Sequence, residues 1–230
     1  MFSLFLPERC LHCEHPTAHS LNPDVQDRLA HYLCEVCIRI LDYHEAPDEA
    51  AIRSQFYGVA PALDITHCRS AYSFAANSPV QSVIHAFKYS GMPRLAAQFG
   101  RSIAGLAPRE TQVIVPVPLH RTRMAERGYN QAEAIARGIA ARREATMIVR
   151  ALQRTRPTPT QTHLSISERI ENVRGAFALA RHAGTIEGKH ALIVDDVMTT
   201  GSTLASVAET LLEAKPKSIS ILTLAVAERN

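Results

Sequence analysis

One stretch near the carboxyl end constrains the fold more than any other part of the chain. It reads HALIVDDVMTTGSTLASVAETL and runs from His190 to Leu211. An apolar run leads into two adjacent acids, Asp195 and Asp196, and a loop of threonine, glycine and serine precedes an amphipathic run. Carboxylates at the end of a buried strand must be solvated, paired or bound to a ligand. The stretch therefore predicts a buried strand, a polar loop and a helix, with charged groups where the strand ends.

Segments of the same two kinds alternate over much of the remaining chain. Apolar spacing or capping residues predict helices in PVQSVIHAFKY, PRLAAQFGRSIAGLA, NQAEAIARGIAARR and SISERIENVRGAF. Short apolar runs predict strands in QVIVPVP, TMIVRAL and SISILTLAV. Strands that alternate with helices indicate an α/β fold with a parallel sheet. We expect this domain to span residues 79–230, and the polar, proline-containing segment 46–78 to be a linker.

Four of the five cysteines form two closely spaced pairs near the amino end. Cys10 and Cys13 are separated by two residues, as are Cys34 and Cys37. Two such pairs can place four thiolates around one zinc ion, the pattern of a closed structural site. A disulfide framework is the rival interpretation, and the fifth cysteine, Cys68, is predicted to be a buried small residue. We expect residues 1–45 to form a zinc-binding module whose folding depends on the metal.

The chain carries no obvious signal for a membrane or for export. Its longest apolar run is far shorter than the roughly 20 residues that span a bilayer. The amino end, MFSLFLPERC, has no basic region and too short an apolar stretch for a signal peptide. We therefore expect a cytoplasmic protein without a membrane span.

Positive charge is concentrated in one part of the chain. The whole chain has a formal net charge of +3, whereas nine arginines against three glutamates leave residues 121–156 with +6. Arginine without lysine suits planar, two-point recognition of phosphate. Solvated helix positions remain the alternative for Arg137, Arg142 and Arg143. The segment therefore indicates an anionic ligand, either a small phosphate compound or a nucleic acid.

The strand end, the polar loop and the helix together indicate a sugar phosphate. Open α/β sheets bind ligands at the carboxyl ends of their strands. Backbone N–H groups at the start of the next helix bind phosphate, and carboxylates suit ribose hydroxyls or Mg²⁺. A Walker A loop is absent, and the three spaced glycines of a dinucleotide-binding fingerprint are absent too. A ribose 5-phosphate satisfies both kinds of contact.

The stretch ALIVDDVMTTGSTL resembles the signature of type I phosphoribosyltransferases. Four further features resemble the ComF/GntX family of competence-associated proteins: VIVPVPLHRTRMAERGYNQAEAIA, RTRPTPTQTHLSISERIENVRGAF, HAFKYSGMPRLA and the paired cysteines. The same segments are more distantly similar to amidophosphoribosyltransferases. The resemblance implies a type I phosphoribosyltransferase-like parallel sheet flanked by helices, with a small amino-terminal zinc ribbon.

The resemblance also implies roles for individual residues in binding phosphoribosyl pyrophosphate (PRPP). Asp195 and Asp196 would hold the ribose hydroxyls, partly through Mg²⁺, and with Arg121 they are the candidate catalytic residues. The 5-phosphate would contact the loop of Thr199, Thr200, Gly201, Ser202 and Thr203. Candidate pyrophosphate contacts are Leu119, His120, Arg121, Arg123 and Lys88. Candidate contacts from a lid, RTRPTPTQ, are Arg154, Arg156 and Gln161.

Alternatives remain open for several of these residues and for the function. An ordinary surface position is the alternative for Lys88, Arg154 and Arg156. For Gly128-Tyr129-Asn130, the alternative is that the segment only caps a helix. Val197 and Met198 stand where some base-specific relatives carry an acid, so no acceptor is evident. Three hypotheses follow: a transferase with an unknown acceptor, a cytoplasmic factor that handles incoming single-stranded DNA alongside other DNA-uptake proteins, and a non-catalytic PRPP or nucleotide sensor.

Overall fold

A computed structural model describes residues 9–17, 29–43, 47–143, 145–156 and 173–227. Gln161 and most of the predicted helix SISERIENVRGAF lie outside these residues. The helices are α1 (Glu35–Tyr43), α2 (Glu49–Tyr57), α3 (Pro79–Tyr89), α4 (Pro93–Ser102), α5 (Arg121–Arg127), α6 (Gln131–Ala140) and α7 (Ser202–Leu212). The strands are β1 (His67–Phe74), β2 (Val113–Pro116), β3 (Thr146–Met147), β4 (Leu152–Arg154), β5 (Phe177–Leu179), β6 (His190–Met198) and β7 (Ser218–Ala227).

Five of the strands form one parallel sheet in the order β1-β7-β6-β2-β3. β6 lies at its centre, with Val194 beside Pro116 of β2 and Leu222 of β7. β4 and β5 form a separate antiparallel ribbon. The parallel α/β sheet predicted from the alternating segments is therefore confirmed. No described helix is long and apolar enough to cross a bilayer.

Both faces of the sheet are buried, which explains why its central strands are almost continuously apolar. Successive residues of β6 enter opposite clusters: Leu192 and Val194 pack on one face, and Ala191 and Ile193 on the other. Residues of α3, α4 and α6 cover the first face, and residues of α2 and α7 cover the second. The sheet thus presents only its strand ends to solvent, and its carboxyl edge becomes the place for a ligand.

The segment predicted to be a linker, 46–78, instead supplies α2 and the edge strand β1. Asp48 accepts hydrogen bonds from the N–H groups of Ala50 and Ala51 and so caps α2. β1 pairs with β7 along one side only, and its polar residues, such as Arg69, remain partly exposed. The linker prediction was wrong here because an edge strand tolerates polar residues that a central strand excludes. Similarly, TMIVRAL is divided between β3 and β4.

The cysteine-containing segment packs directly on the first face of the sheet. Leu33, Tyr32 and Leu41 belong to the same apolar cluster as Phe87 of α3 and Leu192 of β6. Nδ1 of His12 lies 3.1 Å from Oγ of Ser82 in α3. The module therefore shares its core with the sheet.

Candidate functional site

The order of the strands creates a crevice between β2 and β6. From β2 the chain continues to β3 on one side, whereas from β6 it continues to β7 on the other. Such a change of direction opens a ligand crevice at the carboxyl ends of the two strands. A cleft of about 630 Å³ lies there. Its lining residues are Lys88, Val117, Leu119, His120, Thr122, Arg123, Glu126, Arg127, Asn130, Gln131, Ala132, Arg154, Asp195, Asp196, Val197, Thr199 and Thr203.

The loop between β6 and α7 forms one wall of this cleft. Thr199 and Thr203 line it, whereas Thr200 and Ser202 are buried behind, with their hydroxyl oxygens 2.9 Å apart. Gly201 has a φ of +87°, a left-handed conformation that favours glycine. It precedes α7 without providing a side-chain cap. The start of α7 therefore offers backbone N–H groups and a positive dipole end to an anion in the cleft.

Helix α2 supports this loop from behind. Nε2 of Gln55 donates hydrogen bonds to the carbonyl oxygens of Thr199 and Ala227. Phe56 and Val59 lie 3.4–3.5 Å from the position that a Cβ on Gly201 would occupy. The left-handed backbone at 201, rather than a lack of space for a Cβ, therefore disfavours a larger residue there. This loop is therefore held by residues 46–78, the segment that was predicted to be a linker.

Two carboxylates and a lysine form the floor of the cleft. Nζ of Lys88, near the end of α3, lies 3.3 Å from Oδ2 of Asp196. Asp195 accepts a hydrogen bond of 2.8 Å from the backbone N–H of Asp196. Burial, and then the adjacent charge of Asp196, raise the pKa of Asp195 to about 8, although Lys88 and Arg154 oppose that shift. At neutral pH the floor therefore carries less negative charge than two free carboxylates would.

Arg154 approaches the carboxylates from the ribbon of β4 and β5. Its guanidinium lies 5.3 Å from the centre of the Phe177 ring, a cation–π contact. Burial lowers its pKa, and the charge of Asp195 acts in the opposite direction. A partly buried cation in this position is available to an anionic ligand above the carboxylates.

The loop after β2 forms the opposite wall. His120 is buried, and its Nδ1 accepts a hydrogen bond of 3.3 Å from the N–H of Thr122, which caps α5. Arg123 lines the cleft and lies 3.6 Å from Glu126. Arg121, by contrast, is exposed and is not among the lining residues. Helix geometry is the reason, because residues two apart on a helix point in different directions.

The start of α6 contributes residues that the sequence analysis did not assign. Asn130 donates a hydrogen bond of 2.9 Å to the carbonyl of Val117 and accepts one from the N–H of Ala132. Gln131 donates to the carbonyl of Phe87 at 3.1 Å and accepts from Arg127 at 3.0 Å. The segment that was predicted to cap a helix therefore also joins the β2 loop to α3. In the sequence, the feature that could have identified this segment is the polar pair Asn130-Gln131, at the start of an apolar helix.

The structure brings together only some of the residues proposed from sequence. The cleft contains Lys88, Leu119, His120, Arg123, Arg154, Asp195, Asp196, Thr199 and Thr203. Thr200, Gly201 and Ser202 shape the loop without lining the cleft, and Arg121 and Arg156 lie outside the lining. Arg156 instead donates a hydrogen bond of 2.6 Å to the carbonyl of Arg174. Gln161 falls outside the described part of the chain. The lining residues not proposed from sequence are Val117, Thr122, Glu126, Arg127, Asn130, Gln131, Ala132 and Val197.

A second cluster, the four paired cysteines, lies apart from the cleft. The sulfur atoms of Cys10, Cys13, Cys34 and Cys37 all lie within 4.8 Å of one another. Cys13 is 3.5 Å from Cys34 and 3.6 Å from Cys37. Thiolates bound tetrahedrally at 2.3 Å from zinc would lie about 3.8 Å apart. The donor set and its spacing therefore suit a tetrahedral metal ion such as zinc.

Comparison with known proteins assigns the family. The phosphoribosyl transferase domain matches residues 106–230. The DNA utilization protein YhgH of Escherichia coli K12 is 35% identical over 142 residues, which cover 58% of this chain and 61% of that protein. Competence protein F of Haemophilus influenzae is 34% identical over 50% of this chain and 51% of its own. Competence protein ComFC of Bacillus subtilis is 26% identical over 86% of this chain and 79% of its own.

The chain spans about three fifths of the length of the YhgH proteins that it matches. Among solved structures, the glutamine PRPP amidotransferase from B. subtilis complexed with ADP and GMP is 20% identical, with a TM-score of 0.39. That likeness covers 56% of this chain and 25% of the other. The assignment rests on the domain match and on the sequence relatives. The chain belongs to the phosphoribosyl transferase domain family, as a phosphoribosyltransferase-like protein of the ComF type.

Proposed function

We propose that the cleft at the ends of β2 and β6 binds PRPP together with Mg²⁺. One observation carries the proposal: the start of α7 and a pair of adjacent carboxylates lie at the same cleft. Gly201 gives this helix no side-chain cap, and only a long contact of 3.4 Å joins the N–H of Ser202 to Oγ1 of Thr200. The helix start suits a phosphate, and the carboxylates suit a diol or a hydrated divalent cation. A ribose 5-phosphate carries both a phosphate and a diol. The family supports the same ligand.

Residues on three sides of the cleft would each bind a different part of the ligand. Thr199, Thr203 and the first N–H groups of α7 would hold the 5-phosphate. Asp195 and Asp196 would accept hydrogen bonds from the ribose hydroxyls. Lys88, which pairs with Asp196, and Arg123, which lies on the wall opposite this loop, are assigned to the pyrophosphate. Arg154 would complete the cationic surroundings of the departing group.

The chain's own residues fit both metals that the family implies. Mg²⁺ prefers oxygen ligands, and Asp195 and Asp196 provide carboxylates in a cleft open to water. When bound, it neutralises charge on the pyrophosphate. We assign zinc to the four cysteines of residues 1–45. That site is closed by protein sulfur atoms and packs against the sheet core, so its role is structural.

We further propose that the protein handles incoming single-stranded DNA in the cytoplasm during natural transformation. The names of the relatives, which refer to competence and to DNA utilization, support this role. The positive charge of residues 121–156 also supports it, because DNA binding depends on contacts to phosphates. Helix α5 carries three of these arginines and has no buried residue, so it is available to a partner.

A transferase reaction is the second candidate. Arg154, partly buried and close enough to Asp195 to affect its charge, favours turnover over a sensor that only binds. In such a reaction an acceptor would form a bond to the ribose carbon as the bond to pyrophosphate breaks. Release of pyrophosphate only in the presence of a candidate acceptor would identify this activity. Binding of PRPP without release of pyrophosphate, whichever acceptor is supplied, would favour the non-catalytic sensor.

Calorimetric titration with PRPP and Mg²⁺ tests the binding proposal. We expect saturable binding to the wild type and a loss of at least about 100-fold in affinity for the double variant Asp195→Asn/Asp196→Asn. Asp64→Asn, an exposed acid outside the cleft, is the matched control and should bind normally. Absence of binding to the wild type, or equal binding by the double variant, would overturn the proposal.

A further inference from the structure

Tyr89, the last residue of α3, is the most exposed large apolar side chain of the described residues. Its relative exposure is 68%. The ring of His85, one helical turn earlier and also exposed, lies 4.5 Å from the Tyr89 ring, at an angle of 42°. Single exposed apolar side chains are common, but two exposed rings in contact offer a flat face on which a base can stack.

The end of α3 is fixed at the rim of the cleft. Lys88, the preceding residue, lines the cleft and pairs with Asp196. The carbonyl of Phe87 accepts hydrogen bonds from the hydroxyl of Tyr129 at 2.6 Å and from Gln131 at 3.1 Å. Tyr89 is therefore held outside the cleft, next to a residue that points into it.

Helix α5, which carries three arginines, ends near the end of α3. Arg127 donates a hydrogen bond to Gln131, which itself bonds the carbonyl of Phe87, so the end of α5 lies beside the end of α3. Arg121 and Arg123 occupy the same surface helix. An exposed aromatic ring near a helix with several arginines provides the two kinds of group by which proteins bind single-stranded nucleic acid, a stacking face and phosphate contacts.

We propose that Tyr89, backed by His85, stacks on a base of single-stranded nucleic acid whose phosphates follow the arginines of α5. A duplex keeps its base faces covered, so this contact selects unpaired strands. A purely apolar protein partner is disfavoured, because the neighbouring side chains are cationic. The inference rests on the DNA-handling part of the proposed function and adds detail to it. Tyr89 supplies a stacking group, whereas residues 121–156 contain Tyr129 as their single aromatic residue.

Fluorescence anisotropy of a labelled oligothymidylate tests the stacking residue. We expect Tyr89→Ala to weaken binding at least about fivefold, with an unchanged dependence on salt, because stacking involves no counterion release. Tyr89→Phe should retain affinity, since it keeps the ring. Leu212→Ala, which removes an exposed apolar side chain from α7, is the matched control and should have no effect. Arg121→Ala should instead reduce the salt slope by about 1.

The outcomes separate this inference from the function on which it rests. Normal oligonucleotide binding by Tyr89→Ala would overturn the stacking role alone. If the wild type binds no oligonucleotide, both the stacking role and DNA handling fail, whereas PRPP binding is judged by its own titration. PRPP affinity should be the same in Tyr89→Ala and wild type, because Tyr89 does not line the cleft. Equal weakening for PRPP and DNA would indicate a disturbed α3 and would also contradict the stacking role.

Discussion

The cysteine cluster and the cleft both concentrate ionisable groups, but they differ in access. Three of the four cysteines are buried, and their surroundings merge with the apolar core on one face of the sheet. The two aspartates lie at a strand end and face a cleft of about 630 Å³. Closed coordination by protein groups is typical of structural metals, whereas exchange of ligands requires open positions. The difference supports our proposal that the cysteines hold a structural metal and that the cleft binds a ligand.

The same contrast is found in how each site manages charge. Burial opposes ionisation of Cys10, but backbone N–H groups of Cys13, Cys34 and His12 outweigh it and lower the pKa of that thiol to about 7. In the cleft, burial and the charge of Asp196 raise the pKa of Asp195 to about 8. The first arrangement favours a thiolate at Cys10, whereas burial and the neighbouring thiols raise the pKa of Cys37. The second arrangement allows Asp195 to lose its proton, and the cleft to gain negative charge, when a cation binds.

Breaking the closed site should have the largest effect. We expect Cys37→Ser to lose bound zinc and to lower the melting temperature by at least about 10 °C, because metal binding contributes to folding. Cys68→Ala is the control, since Cys68 is buried but lies outside the cluster. Thermal unfolding and metal analysis on the same samples check the expectation. A metal-free Cys37→Ser protein with wild-type stability would contradict the structural role.

A smaller effect is expected where the open site is supported from behind. Gln55→Ala removes two hydrogen bonds that hold the ends of β6 and β7. We expect PRPP affinity to fall about fivefold to tenfold, while zinc content is unchanged and the melting temperature changes little. Ser54→Ala, an exposed neighbour on the same helix, is the control. If Gln55→Ala changes stability but not PRPP affinity, its role is not the positioning of the phosphate loop.

The last effect, which depends on pH, concerns the charge of Asp195. Its folded pKa, about 8, lies above the unfolded value of about 3.9, so the folded state holds the extra proton between those pH values. Stability should therefore fall as pH rises through this window. Without Mg²⁺, Asp195→Asn should match the wild type near pH 4 and melt about 3 °C or more higher at pH 8. An Asp195→Asn protein whose stability falls with pH as steeply as that of the wild type would contradict the assigned cause.

Much of the fold could be predicted because its central strands are apolar on both faces. The strand HALIVDD and the helix after TTGST were located by the switch from apolar residues to small hydroxyl residues. β1 and α2 were missed because an edge strand and a short surface helix carry weak apolar patterns. Sequence spacing also could not show that Arg121 faces solvent while Arg123 faces the cleft, since that depends on where α5 begins.

Residues brought together by long-range contacts were the hardest to predict. Gln55 reaches Thr199 across the sheet edge, and Gln131 reaches the carbonyl of Phe87 between two helices. Neither contact leaves a local pattern, because each depends on packing between segments far apart in sequence. The acidic pair and the cysteine pairs were found because their chemistry is local.

The most direct test compares both sites in one preparation, before and after dialysis against EDTA. Zinc content is measured together with calorimetric titration of PRPP, with and without added Mg²⁺. We predict that about one zinc ion per chain survives dialysis, and that PRPP binding requires added Mg²⁺. PRPP binding that is indifferent to Mg²⁺, or zinc that is lost while the protein stays folded and binds PRPP normally, would contradict the division into a closed structural site and an open functional one.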